Sequence, residues 1–310
     1  MKKLLFPIIL LSLIVLGGCS RTDKTTVEPA AQKQVADKMG VVNKKEKSIT
    51  VNEIIADSGF LSKNIYDKDS KTVELEKTRG LEFIIPDDYE LALETDYLSK
   101  KSSSTYIIKI LRQKDDKSKL VGMTGFDVRN PDKPLIAAIV DSKNLVKNLF
   151  VIGGFSSLSG SLGWGDYDKA KISKSLTLKD LNLDGFPEII IETFKAYTAD
   201  AETGLITIYF DKEKGIFAPA EETFSTTWKE AYDIVEVNKK PYIIETQSGS
   251  GACRVCITPY LVRIYLFTGS SYFDVGSVGV EKEFESGVDA LKYSLPRVKN
   301  KIMKNEIFVW

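Results

Sequence analysis

Apolar residues in this chain fall in short runs of strand length, broken by polar or glycine-bearing turns, and seldom at helical spacing. Tyr106-Ile-Ile-Lys-Ile-Leu111 and Leu120-Val-Gly-Met-Thr-Gly-Phe126 flank the polar stretch Gln113 to Ser118, which predicts a hairpin. Leu205 to Phe210 and Ile216-Phe217 flank Asp211 to Gly215 in the same manner, and Leu261 to Phe267 and Tyr272-Phe273 flank Thr268 to Ser271. Aromatic and β-branched residues dominate these runs, as a pleated, half-buried surface favours. Leu81 to Ile85 predicts another strand, stopped by Pro86. Helix is expected only over Thr227 to Tyr232 and in a short piece within Asp289 to Asn305, while the Ser/Gly-rich span Gly153 to Asp168 reads as a long loop. The fold class is therefore mainly β.

The pattern repeats. Asp127, Pro134 and Ile136 recur as Asp180, Pro187 and Ile189 at an offset of 53 residues. The same offset carries Asp180 to Asp233 and Ile190-Ile191-Glu192-Thr193 to Ile243-Ile244-Glu245-Thr246, although the proline slips by one to Pro241. Ile206-Thr-Ile208-Tyr209 matches Val262-Arg-Ile264-Tyr265 at an offset of 56, so three extra residues lie between the two matches, in the Cys253/Cys256 segment. Periods of this length belong to propeller blades or related β arrays. Glu82-Phe83-Ile84-Ile85 sits two periods before Glu188 to Ile191, so residues 49–120 read as an extra blade or as a small separate domain.

The N-terminus has its own pattern. Lys2 and Lys3 precede the apolar run Leu4 to Leu16. That run is shorter than the roughly 20 residues a membrane span needs, and has the form of a signal-peptide core. Leu16-Gly17-Gly18-Cys19 resembles the lipobox of bacterial lipoproteins. The resemblance implies cleavage of residues 1–18 and a lipid on Cys19; an ordinary secretory signal ending near a cysteine is the alternative. Residues 19–48 are polar and aperiodic, a flexible tether. This implies a cell-envelope location, anchored to the membrane by lipid, and the outer membrane if the cell is Gram-negative, since Ser20 follows Cys19.

Composition narrows the partners. Forty-three Lys and Arg balance 43 Asp and Glu, which argues against a nucleic-acid partner. The absence of histidine removes Ser-His-Asp and Cys-His chemistry and imidazole general bases. Cys253 and Cys256 lie in a Gly/Ser-rich stretch. Three residues of extended chain separate them by about 10 Å, too far for a disulfide, whereas a turn brings them within about 7 Å. A structural disulfide closing a turn is the first reading, ahead of redox or zinc chemistry.

The densest chemistry is Asp180-Leu-Asn182-Leu-Asp184-Gly185-Phe186-Pro187-Glu188, followed by Ile189-Ile190-Ile191. Oxygen side chains at alternating positions around a Gly suit a hard cation such as Ca²⁺. An EF-hand would require a bidentate Glu at the twelfth position, where Ile191 stands. The run instead resembles the calcium loop of FG-GAP and VCBS-type repeats, which precedes an apolar strand. The resemblance implies a propeller-like array over residues 121–285. It also implies Ca²⁺ ligands from the side chains of Asp180, Asn182, Asp184 and Glu188 and the carbonyl of Phe186. The unit at Asp127 has Arg129 and Pro131 at ligand positions and that at Asp233 has Val235 and Val237, so one ion site is expected. An Asx-rich turn needing no ion is the alternative.

The function expected is a lipid-anchored envelope binding module holding a protein or glycan partner, with residues 286–310 as a C-terminal segment. Trp164, flanked by Gly163 and Gly165, is a candidate ligand contact. Glu188, Glu192 and Glu245 keep open the alternative of a carboxylate-dependent glycan-active enzyme. An envelope-assembly scaffold is the third reading.

Overall fold

The fold is built from strands whose apolar residues face two ways at once. The computed structural model describes residues 53, 72–101, 105–114, 135–152, 157–158, 175–196, 201–227, 230–249 and 257–307. The elements below all belong to one unit, residues 47–310. Three antiparallel sheets follow one another along the chain. The first has the order β1-β5-β4-β3-β2, from β1 (Thr72–Glu74), β2 (Tyr89–Tyr97), β3 (Tyr106–Gln113), β4 (Leu135–Asp141) and β5 (Val146–Ile152). The second centres on β7 (Leu176–Lys179), β8 (Glu188–Ala196), β9 (Ala201–Asp211) and β10 (Ile216–Pro219). Two short strands extend it, β6 (Ser157–Leu158) on β8 and β11 (Phe224–Thr227) on β9. The third is the meander β12 (Tyr232–Val237), β13 (Lys240–Ser248), β14 (Thr258–Phe267), β15 (Tyr272–Phe284).

The sheets stack face to face. Ile108, Ile110, Ala137, Ile139 and Phe150 of the first sheet pack with Ile189, Ile191, Ile206, Ile208 and Phe217 of the second. Ile190 and Leu205, on the opposite face of the second sheet, pack with Ile243 and Phe267 of the third. Ile244, Val262 and Ile264 on the far side of the third sheet meet Leu291, Val298 and Ile302 of α1 (Gly287–Met303). Strands buried on both faces read as unbroken apolar runs rather than alternating ones. This explains why Leu135 to Val140 and Ile189 to Ile191 are apolar throughout and all buried.

The repeat is present with a corrected register. Between the first two sheets the offset of 53 holds, since Ala137 and Ile190 both face the next sheet along. Between the second and third it is 54, not 53. Ile189 and Ile243 face back toward the preceding sheet, and Ile190 and Ile244 face forward. The pairings agree: Ile189 pairs Ile208 and Ile243 pairs Tyr265, so the second match runs at 57 rather than 56. A one-residue slip turns every side chain of a strand to the other face, so the difference is not cosmetic.

Other expectations fare unevenly. The hairpins β9–β10 and β14–β15 form where predicted. Leu81 to Ile85 is not a strand: Glu82 makes an isolated bridge to Leu145, and Phe83 is buried with its N–H donated to the Asn144 carbonyl. The described residues of Thr227 to Tyr232 are not helical either, since β11 ends at Thr227, residues 230 and 231 are irregular and β12 begins at Tyr232; residues 228–229 lie outside the described residues. The C-terminal helix is longer than expected, with 17 residues, and is capped by Ser286, whose hydroxyl accepts from the Asp289 N–H. β3 pairs with β2 and β4, so residues on both sides of position 120 share one sheet. Leu120 to Phe126, the strand expected to pair with β3, lies outside the described residues. No helix among the described residues is long and apolar enough to cross a membrane.

Candidate functional site

The loop from Asp180 to Pro187 joins β7 to β8, so the second sheet presents it at one end. Leu181 pins it, buried with Ile190, Leu205 and Phe267. Leu183 (φ 60°) and Gly185 (φ 91°) adopt the left-handed backbone that closes the turn. A Cβ on Gly185 would also meet the aliphatic part of Lys101 at 2.7 Å. Ser99 Oγ donates to the Gly185 carbonyl at 3.0 Å, tying the loop to the chain after β2.

The loop oxygens turn inward onto backbone amides. Asp180 accepts from the N–H of Asp184 (2.9 Å) and of Gly185 (2.9 Å). Asn182 Oδ1 accepts from the Asp184 N–H (3.0 Å), and Asp184 Oδ1 from the Phe186 N–H (2.8 Å). Glu188 is buried at 1 % exposure and accepts from the Leu181 N–H at 2.5 Å. Burial pushes its carboxyl up to about 8, and the nearby charges of Asp184 and Asp180 add to the rise. One cation is already at hand: Lys212 Nζ lies 2.9 Å from Asp184 Oδ2 and over the Phe186 ring, which itself stacks on Phe210 at 4.8 Å.

The residues present suit Ca²⁺ in kind. Asp180, Asn182, Asp184 and Glu188 offer hard oxygen donors, with the Phe186 carbonyl beside them. The Tyr97 hydroxyl is buried without a hydrogen-bond partner among the described residues and feels the charges of Glu188, Asp184 and Asp180. Glu188, raised by burial and by the charges of Asp184 and Asp180, is a carboxyl whose charged form a nearby cation would favour. Among the described residues, however, no group of three or more His, Cys, Asp or Glu side chains converges as a metal cage, and the loop carboxylates accept from backbone amides. The corresponding connection of the third sheet has no such chemistry. Asp233 lies in β12 opposite Ile244, exposed, and the chain reverses in two residues at Asn238 and Lys239, both with positive φ.

Two clefts open between the second and third sheets. One, of about 530 Å³, is lined by Lys179, Glu192, Glu230, Tyr232 and Asp233 among others. The other, of about 430 Å³, is lined by Glu222, Phe224, Glu245, Arg263, Tyr265 and Asp274. In the second, the Tyr265 hydroxyl donates to Glu245 Oε2 at 3.0 Å, and Arg263 donates to Asp274 through Nε (3.1 Å) and Nη2. Burial raises Glu245 to about 7, while the Tyr265 hydrogen bond opposes the rise.

Sequence reasoning singled out Glu245, but not Arg263, Tyr265 or Asp274. Alternation along β14 and β15 was the available signal, since cross-strand neighbours on one face meet. Cys19, Trp164, Cys253 and Cys256 lie outside the described residues.

No protein-family model matches the chain, and no curated protein matches it. A solved structure titled "Crystal structure of CarG" aligns over 38 % of this chain and 89 % of that one, at 11 % identity and a TM-score of 0.33. A likeness that slight carries no argument about fold or function.

Proposed function

We propose that this protein is a lipid-anchored binding module of the cell envelope. In this reading Cys19 carries the lipid and residues 19–48 are the tether. A propeller-like array of FG-GAP/VCBS-type units then holds a protein or glycan partner in a cleft between sheets. The observation that supports it best is the row Asp274–Arg263–Tyr265–Glu245 along an open cleft. Polar side chains locked to one another on rigid strands are oriented before a ligand arrives, which lowers the cost of binding it. Each of the three stacked sheets contains four strands consecutive in the chain, β2–β5, β7–β10 and β12–β15, which supports the blade-like array. Ca²⁺ would be held by the loop donors named above and would be structural, replacing Lys212 as the charge that balances the loop.

A second reading is favoured by one group. Glu245, raised to about 7, shares its cleft with Glu222 and Asp274, the raw material of a carboxylate-dependent glycan-active enzyme. Binding of envelope glycan fragments and envelope proteins to wild type and to Arg263→Ala separates the readings. A partner retained unchanged by wild type and lost by Arg263→Ala supports the binding module. Turnover of a glycan, abolished by Glu245→Gln, supports the enzyme. Partners indifferent to Arg263→Ala would remove the cleft from the account.

A further inference from the structure

The chain after β2 returns to the Asp180–Pro187 loop of the neighbouring sheet. Ser99 Oγ donates to the Gly185 carbonyl at 3.0 Å, and the aliphatic stem of Lys101 lies so close that a Cβ on Gly185 would meet it at 2.7 Å. Tyr97, the last residue of β2, comes just before these contacts. It is 1 % exposed, and its ring packs edge-on to Phe217 at 5.1 Å, in one apolar cluster with Ile189 and Ile191.

That packing accounts for the ring but not for the hydroxyl at its end. Burial first, and then the charges of Glu188, Asp184 and Asp180, hold the hydroxyl protonated. It can both give and take a hydrogen bond, yet it has no partner among the described residues. The loop carboxylates are engaged elsewhere: Asp180 with two backbone amides, Asp184 with one amide and Lys212, Glu188 with the Leu181 amide. A buried hydroxyl left in this way is costly. With Tyr97 and Glu188 each 1 % exposed, only a group the size of a water or an ion could reach it. Asp180, Asn182, Asp184, Glu188 and the Phe186 carbonyl, giving one oxygen each, fall short of the roughly six to eight that Ca²⁺ takes, and water completes such a set.

We propose that Tyr97 belongs to the ion site of this loop, its hydroxyl bonding a water held by the cation, so that ion uptake fastens the end of β2 in the first sheet to the loop of the second. The inference rests on the calcium reading of the loop and adds to it a positioning residue from another sheet.

Calorimetric titration of the purified protein with CaCl2, beside Tyr97→Phe and Asp184→Ala, tests it. Tyr97→Phe keeps the ring and removes only the hydroxyl. Wild type should bind Ca²⁺ saturably, Asp184→Ala should not, and Tyr97→Phe should bind about fivefold more weakly, the worth of one hydrogen bond. In chelator the order should reverse. There Tyr97→Phe should melt roughly 2–4 °C above wild type, because it no longer buries an unpartnered hydroxyl. Hydrogen exchange of the β2 amides should slow on adding Ca²⁺ in wild type and not in Tyr97→Phe.

A Tyr97→Phe protein that melts lower by the same amount with and without the ion would give the hydroxyl a merely structural partner and overturn the proposal. Equal Ca²⁺ affinity in wild type and Tyr97→Phe overturns it too, and leaves the ion site standing. No Ca²⁺ binding by wild type overturns both.

Discussion

The second and third sheets share a four-stranded meander but connect their first two strands in opposite styles. In the second sheet, β7 and β8 are joined by eight residues, Asp180 to Pro187, folded around their own carboxylates. In the third, β12 and β13 are joined by Asn238 and Lys239 alone. The shorter connection suffices to reverse the chain, so the longer one is more than a connection. It also carries a cost, because Glu188 is buried there beside two other acids. What repeats in this molecule is the stacking of strands, and what differs is the chemistry at their ends.

The strands should respond alike to damage. Ile190→Ala and Ile244→Ala, at equivalent buried positions, should each cost about 2–5 kcal/mol in denaturant unfolding. A large cost at one and none at the other would break the equivalence. The connections should respond differently. Asp180→Ala removes the acceptor of two amide hydrogen bonds and should cost about 2 kcal/mol. Asp233→Ala, exposed on β12, should stay within about 0.5 kcal/mol in the same assay. Gly185→Ala should cost about 1 kcal/mol from its positive φ, and more if Lys101 cannot move aside.

The acid cluster gives a pH-dependent signature. Burial raises Glu188 to about 8 from an ordinary 4.5, so the folded state holds a proton that the unfolded state has released. Its contribution is fully present below pH 4.5 and is lost as the pH climbs toward 8. Without Ca²⁺, the melting temperature should therefore fall between pH 5 and pH 8, and Glu188→Gln should flatten that fall. A melting temperature flat in wild type, or one that rises, would show that Glu188 is not held protonated.

Much of the architecture was legible along the chain. The unbroken run Ile189-Ile190-Ile191 marks a strand buried on both faces, and the spacing of such runs marks successive sheets. Register was harder. Matching Ile190-Ile191-Glu192-Thr193 to Ile243-Ile244-Glu245-Thr246 aligns four similar residues yet turns each to the wrong face. The slipped proline, Pro187 to Pro241, already carried the offset of 54. Identity of type misled because Ile is apolar on either face of a doubly covered strand, so composition there does not encode direction.

The site was legible only where its residues are adjacent. Asp180 to Glu188 form one stretch, whereas Glu222, Glu245, Arg263 and Asp274 come from four separate segments that only the pairing of β13, β14 and β15 and the stacking of sheets bring together. The Lys212–Asp184 pair was invisible for the same reason, since β9 and β10 must form before Lys212 reaches the loop.

Thermal unfolding of the purified protein with Ca²⁺ and then with chelator, beside Asp184→Ala and Asn238→Ala, tests the contrast between the two connections most directly. At 100 times its Kd the ion should stabilise the folded state by about 2.7 kcal/mol. The account predicts that rise in wild type and in Asn238→Ala, and its loss in Asp184→Ala. A melting temperature indifferent to Ca²⁺ in all three would make the longer connection an amide-bonded turn balanced by Lys212, and would contradict the ion site.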